Sequence, residues 1–162
     1  MTDSDPRAAA VGYMQRTREY YEAQGFERAY QWANYDDVPF TAPSRPLAES
    51  RLALITTTAT FPRTHTDARS VDSGTIDPGP ERLHAEDLSW DRGATHLEDL
   101  QSYFPLEGLR EAVAAGRIGS LAPRFICAPT EYSIRRTTEQ DAPEILDLCV
   151  AQQADVALLV PI

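Results

Sequence analysis

Val156-Ala157-Leu158-Leu159-Val160 decides the fold class. These five residues are apolar without alternation, the pattern of a central strand buried on both faces in a parallel sheet. Upstream, Thr138 to Asp141 resembles a capping box with Asp in place of Glu or Gln. It opens a helix through Ile145, Leu148 and Cys149 to about Gln153. Before that, Arg124-Phe125-Ile126-Cys127-Ala128 reads as another strand, and Leu106, Leu109, Arg110 and Val113 form one face of a helix that stops at Gly116. Arg51-Leu52-Ala53-Leu54-Ile55-Thr56-Thr57-Thr58 reads as a further buried strand. Its Thr-rich end, Thr56 to Thr60, fits a polar loop at the carboxyl edge of a sheet, and equally more strand. The order predicts an α/β domain: a mostly parallel sheet flanked by helices, an incomplete doubly wound domain.

The α/β pattern covers residues 39–162, and residues 1–38 read as an aromatic-rich helical segment. Asp5 can cap that helix, Pro6 suits its first turn, and Val11, Met14, Arg18 and Tyr21 follow at helical spacing to a stop at Gly25. Tyr13, Tyr20, Tyr21, Phe26, Tyr30, Trp32 and Tyr35 supply rings for packing on a sheet or a partner subunit, with a ligand cage as the alternative. Pro39, Pro43 and Pro46 mark a connection. Residues 62–82, rich in Asp, Ser, Gly and Pro, read as a mobile loop. His65 and His84 flank it without metal-ligand spacing, so no metal site is expected.

The formal charge is −10, split as 8 basic and 12 acidic residues up to position 81 and 7 and 13 from position 82 on. A chain this acidic lacks the basic face that nucleic acid or an anionic membrane requires. All basic residues are arginine, which excludes Schiff-base and P-loop lysines. With 42% hydrophobic and 25% charged residues the composition is that of a folded domain. The acidic N-terminus does not read as a secretory signal, and the two cysteines form no CxxC pair, so a cytoplasmic setting is expected.

Nucleotide-loop, nucleophile-elbow and zincin motifs are absent. Ser89-Trp90-Asp91-Arg92-Gly93-Ala94-Thr95-His96 is the densest run of functional residue types. Asp91 and Arg92 can orient a polar substrate and His96 can move a proton, so these three are the candidate substrate-binding residues, with a surface turn as the alternative. Cys127, near a strand end, is the candidate thiol; Cys149, among apolar helix residues, reads as core.

Trp90-Asp91-Arg92, Tyr103-Phe104-Pro105-Leu106-Glu107-Gly108-Leu109-Arg110 and above all Gly116-Arg117-Ile118-Gly119-Ser120-Leu121-Ala122-Pro123-Arg124 resemble the selenoprotein B group of glycine, sarcosine, betaine and D-proline reductases. Residues 45–58 and 155–161 share the likeness, which extends over about residues 45 to 162 and is weakest over 62–86. The resemblance implies an oxidoreductase that cleaves a C–N bond of a small amino acid or betaine with a dithiol/disulfide electron system. It also implies a selenolate or thiolate nucleophile, a pyruvoyl group on a partner subunit, and a homo- or hetero-oligomer. The alternative is a non-catalytic α/β subunit that binds a partner through its aromatic helix.

In that family the selenocysteine or cysteine follows a strand similar to Val156–Pro161, whereas this sequence stops at Ile162. The redox residue is therefore expected beyond Ile162, and no catalytic residue is assigned within the sequence. An in-frame UGA codon, a fragment, or a short relative without the redox centre each explains such a truncation.

Overall fold

The computed structural model describes residues 12–28, 33–38, 41–64, 67–85, 97–128, 130–131 and 133–162. The chain divides into two units, Met1–Pro39 and Phe40–Ile162. In the first, α1 spans Tyr13–Ala23 and ends where Gly25 takes a φ of +78°. The rings of Tyr20 and Phe26 flank Tyr21 at centroid distances of 6.2 and 5.2 Å. The expected cap Asp5 and first-turn Pro6 lie outside the described residues.

The second unit is built on a five-stranded, mostly parallel sheet. Its strands are β1 (Arg51–Thr56), β2 (Asp72–Thr75), β3 (Ser120–Leu121), β4 (Arg124–Cys127) and β5 (Val156–Val160). β3 and β4 run consecutively along one edge of β1, pairing at Arg51↔Ser120 and Ile55↔Ile126. β5 runs parallel along the other edge, from Leu52↔Val156 to Thr56↔Val160. β2 closes the far side antiparallel to β4. Between them come α2 (Leu100–Tyr103), α3 (Leu106–Ala114), α4 (Ile134–Arg136) and α5 (Ala142–Ala151).

Strand alternation sorts the core into two layers. Leu52, Leu54, Phe125 and Cys127 point to the side of α3, where Leu106, Leu109 and Ala112 bury at helical spacing. Phe104 meets Phe125 edge-on there, with centroids 4.7 Å apart. Ile55 and Ile126 point the other way, toward Ile145, Leu148 and Cys149 of α5. Helices thus cover both faces. Among the described residues no helix is long and apolar enough to cross a membrane.

Three expectations are corrected. β5 pairs only with β1 among the described residues, so it is an edge strand and not a central one, and Leu159 stays 67% exposed. Residues 62–82 are not loop throughout, because they contain β2. Gly74 of β2 lies over the Phe125 ring, where a Cβ would sit 2.5 Å from Cζ. Thr138 to Asp141 does not start the last helix. Ser133 caps it five residues earlier, its Oγ accepting from the Arg136 amide at 3.3 Å. The helix then widens into a π turn at Thr137–Asp141 before α5.

The Gly116–Arg124 run has a local reason for its glycines. Gly116 ends α3 with φ +69°, in the left-handed region that favours glycine. Gly119 lies against the backbone of Glu49 and Ser50, where a Cβ would come within 2.7 Å of Glu49 C. That approach lets Gly119 N donate to Leu47 O at 3.0 Å and Ser120 N donate to Ser50 O at 3.1 Å, which seats β3 beside β1. Gly119→Ala is therefore expected to lower stability by about 2 kcal/mol or more through backbone overpacking, and Gly116→Ala by about 1 kcal/mol through left-handed strain. Urea unfolding midpoints of the two variants check the order.

Candidate functional site

From β1 the chain proceeds to α3 on one face of the sheet, and from β4 to α5 on the other. Adjacent parallel strands whose connections diverge in this way leave a crevice at their carboxyl ends, the usual ligand position in open α/β sheets. A cleft of about 340 Å³ lies there, at the ends of β1, β4 and β5. Its volume suits a small ligand.

Ile145, Leu159, Val160 and Pro161 form apolar walls, and Arg69, Thr130, Glu131 and Asp141 bring polar side chains. Thr56, the last residue of β1, borders the cleft but is in register with Cys127, so its hydroxyl turns with Leu52 and Leu54 to the α3 layer. Beside it, Thr57 Oγ1 accepts from the amide of Ile162 at 2.8 Å, tying the segment after β5 to the segment after β1.

Arg69 comes from the polar stretch before β2. That stretch is held by Arg63, whose side chain is only 4% exposed. Its guanidinium donates to the carbonyls of Ala68 and Ser70 and pairs with Asp72 at 3.4 Å. Arg69 then reaches across to the helix, pairing with Asp141 through Nη1 and with Glu131 at 3.8 Å through Nε. Arg136 pairs with Glu131 at 3.3 Å from outside the cleft. Two guanidiniums and two carboxylates therefore balance. Burial alone would raise the Glu131 carboxyl, but the Ser133 amide and the Arg136 and Arg69 charges outweigh it and hold the group below the usual carboxylate range.

The Asp141 carboxylate hangs from the π turn and is 6% exposed. Arg69 takes its Oδ1, and its Oδ2 is buried without a hydrogen-bond partner, as are Thr56 Oγ1 and Thr130 Oγ1. Buried polar atoms in folded chains are normally paired, so such a group marks a place for a further molecule.

The residues singled out from the sequence fall elsewhere. Asp91, Arg92 and His96 lie outside the described residues, as does His65. Cys127 is fully buried on the opposite layer, with Sγ 3.3 Å from Thr58 Oγ1, and burial pushes its thiol up to about 11. Cys149 is half-buried, and desolvation raises its thiol as well. Neither cysteine lines the cleft. Among the described residues, no group of three or more His, Cys, Asp or Glu could hold a metal ion. Arg69 and Glu131 carried no signal in the sequence, and Asp141 was read only as part of a cap, since only the topology gathers these side chains.

A second cleft of about 300 Å³ opens at the amino ends of the strands. There Asp155 accepts from the Arg51 amide at 2.8 Å and pairs with Arg45 at 3.4 Å, and Arg51 Nη1 donates to Gln152 O at 2.9 Å. These groups satisfy one another and close the sheet's amino end. No family model, curated protein or solved structure matches the chain.

Two outcomes are expected. Because Glu131 is held below its unfolded value, about 4.3 for an ordinary Glu, its contribution is fully present above that pH and is lost as pH falls through the lowered folded value. Glu131→Gln should thus unfold at lower urea than the unsubstituted chain at pH 7, with the gap closing toward pH 3. A pH-independent gap contradicts the ion network. Second, Cys127 should resist iodoacetamide at pH 8 in the folded chain and react only in urea, as read by peptide mass mapping.

Proposed function

We propose that this chain is the doubly wound domain of an oxidoreductase of the selenoprotein B type. In this reading its carboxyl-edge cleft seats a small amino acid or betaine for reductive C–N cleavage. The observation that carries the proposal is the cleft itself: a small crevice where parallel strands end and their connections diverge, lined by buried polar groups without partners. The Thr130 hydroxyl can donate to a substrate carboxylate, and Ile145 and Leu159 can cover a methylene body. The Gly116–Arg124 motif supports the same reading, since its glycines seat the β3–β4 edge that ends at the cleft.

The redox nucleophile is a group other than Cys127 and Cys149. A thiol pushed to about 11 and buried away from the cleft is not ionised at neutral pH and cannot reach substrate. In this reading the described residues supply binding and orientation, and the ionised selenolate or thiolate is a group outside them. Two cysteines without a disulfide fit a reducing compartment such as the cytoplasm.

A second reading is a non-catalytic subunit that docks a partner through its N-terminal segment. It is favoured by the rings of Tyr20, Phe26 and Tyr35, which are 58%, 59% and 62% exposed.

The test uses the protein purified with its associated subunits, dithiothreitol as reductant, and glycine, sarcosine, betaine and D-proline as substrates. Amine release, or ring opening of D-proline, matched one for one by dithiothreitol oxidation is expected, reduced about tenfold or more by Thr130→Val. No turnover on any substrate, with a stable complex that Tyr20→Ala and Phe26→Ala dissolve, favours the second reading.

A further inference from the structure

The unpartnered atoms of the cleft differ in what they can accept. A threonine hydroxyl donates or accepts by rotating, so Thr130 adapts to either end of a ligand. Asp141 Oδ2 is an acceptor only, and its carboxylate cannot turn away, because Arg69 holds Oδ1 and the π turn holds the backbone. At 6% exposure water does not freely supply the missing donor. π turns inside helices recur at functional sites, where the extra residue re-aims a side chain.

We propose that the cleft takes a small ligand whose nitrogen carries at least one N–H, and that Asp141 Oδ2 accepts that hydrogen bond. The inference rests on the cleft being the ligand site and names what distinguishes one ligand from another there. A quaternary ammonium has the same charge but no donor, so it leaves Oδ2 buried and unsatisfied. A protonated primary, secondary or tertiary amine forms a charge-assisted bond to it. The walls from Ile145 and Leu159 then meet the ligand's carbon atoms, and the Thr130 hydroxyl remains for its other end. Sites that pair a buried polar group with a ligand donor reject analogues lacking the donor far more strongly than they reject a missing methylene.

The experiment titrates the full chain by calorimetry with glycine, N-methylglycine, N,N-dimethylglycine and N,N,N-trimethylglycine. These share a carboxylate and a positive nitrogen and differ in N–H count. The first three are expected to bind, with trimethylglycine weaker by about tenfold or more. Asp141→Asn, checked for folding by thermal melt, should bring the three down to the trimethylglycine level. The four-ligand comparison on the unsubstituted chain stands without that variant. Equal binding of all four, or tightest binding of trimethylglycine, overturns the N–H requirement and leaves the cleft as the ligand site. Binding by none overturns both.

Discussion

The burial of β1 is the constraint on which the rest of the second unit depends. Its two edges carry parallel ladders, to β3 and β4 on one side and β5 on the other. Its side chains alternate between two apolar layers, with Ala53 at 0% and Leu54 at 3% exposure. A strand so enclosed has room for polar atoms only at its ends. At the amino end the Arg51 amide is satisfied by Asp155, at the start of β5. At the carboxyl end the Thr56 side chain still turns to the α3 layer with Cys127, and the cleft opens on the other face, where the Thr130 hydroxyl finds no partner among the described residues. The ends of β1 are thus chemically unlike: one is closed by ion pairs, the other is open.

The open end is held by charges from three separate parts of the chain. Arg69 projects from a polar stretch anchored on the buried Arg63, Glu131 follows β4, and Asp141 comes from the π turn. One apolar layer fixes both the stretch and the helix, since Val71, just after the stretch, and Ile145 of α5 pack into the same cluster with Ile55 and Ile126. The guanidiniums of Arg69 and Arg136 hold the Glu131 carboxyl below its usual range, and Arg69 also pairs with Asp141 at the same cleft. It also leaves a specific gap, because the geometry that pairs Asp141 Oδ1 with Arg69 keeps Oδ2 for something else.

The strands β1, β4 and β5 and helix α3 were legible because apolar runs and helical spacing report burial directly. The polar strand β2 was not, since Asp72-Ser73-Gly74-Thr75 carries no apolar signal and owes its place to Gly74 fitting under Phe125. The rank of β5 was misjudged because an apolar run reports what a strand could bury and not which neighbours it pairs with. Thr138 and Asp141 matched a cap by spacing, yet Ser133 had already started the helix, which freed Asp141 for the cleft. Arg69 and Asp141 are 72 positions apart, a pairing that only the tertiary fold creates. The thiol near a strand end looked available, but strand alternation turned Cys127 inward.

The central claim, a ligand cleft at the carboxyl edge, is tested most directly by amide chemical shifts of the isotopically labelled chain during titration with N-methylglycine. Perturbations are predicted at Thr56–Thr57, at Ala128 and Thr130–Glu131, and at Thr137–Asp141, with the amino-end residues Arg45, Arg51 and Asp155 unmoved. Saturable perturbations confined to that amino end, or none anywhere, would contradict it.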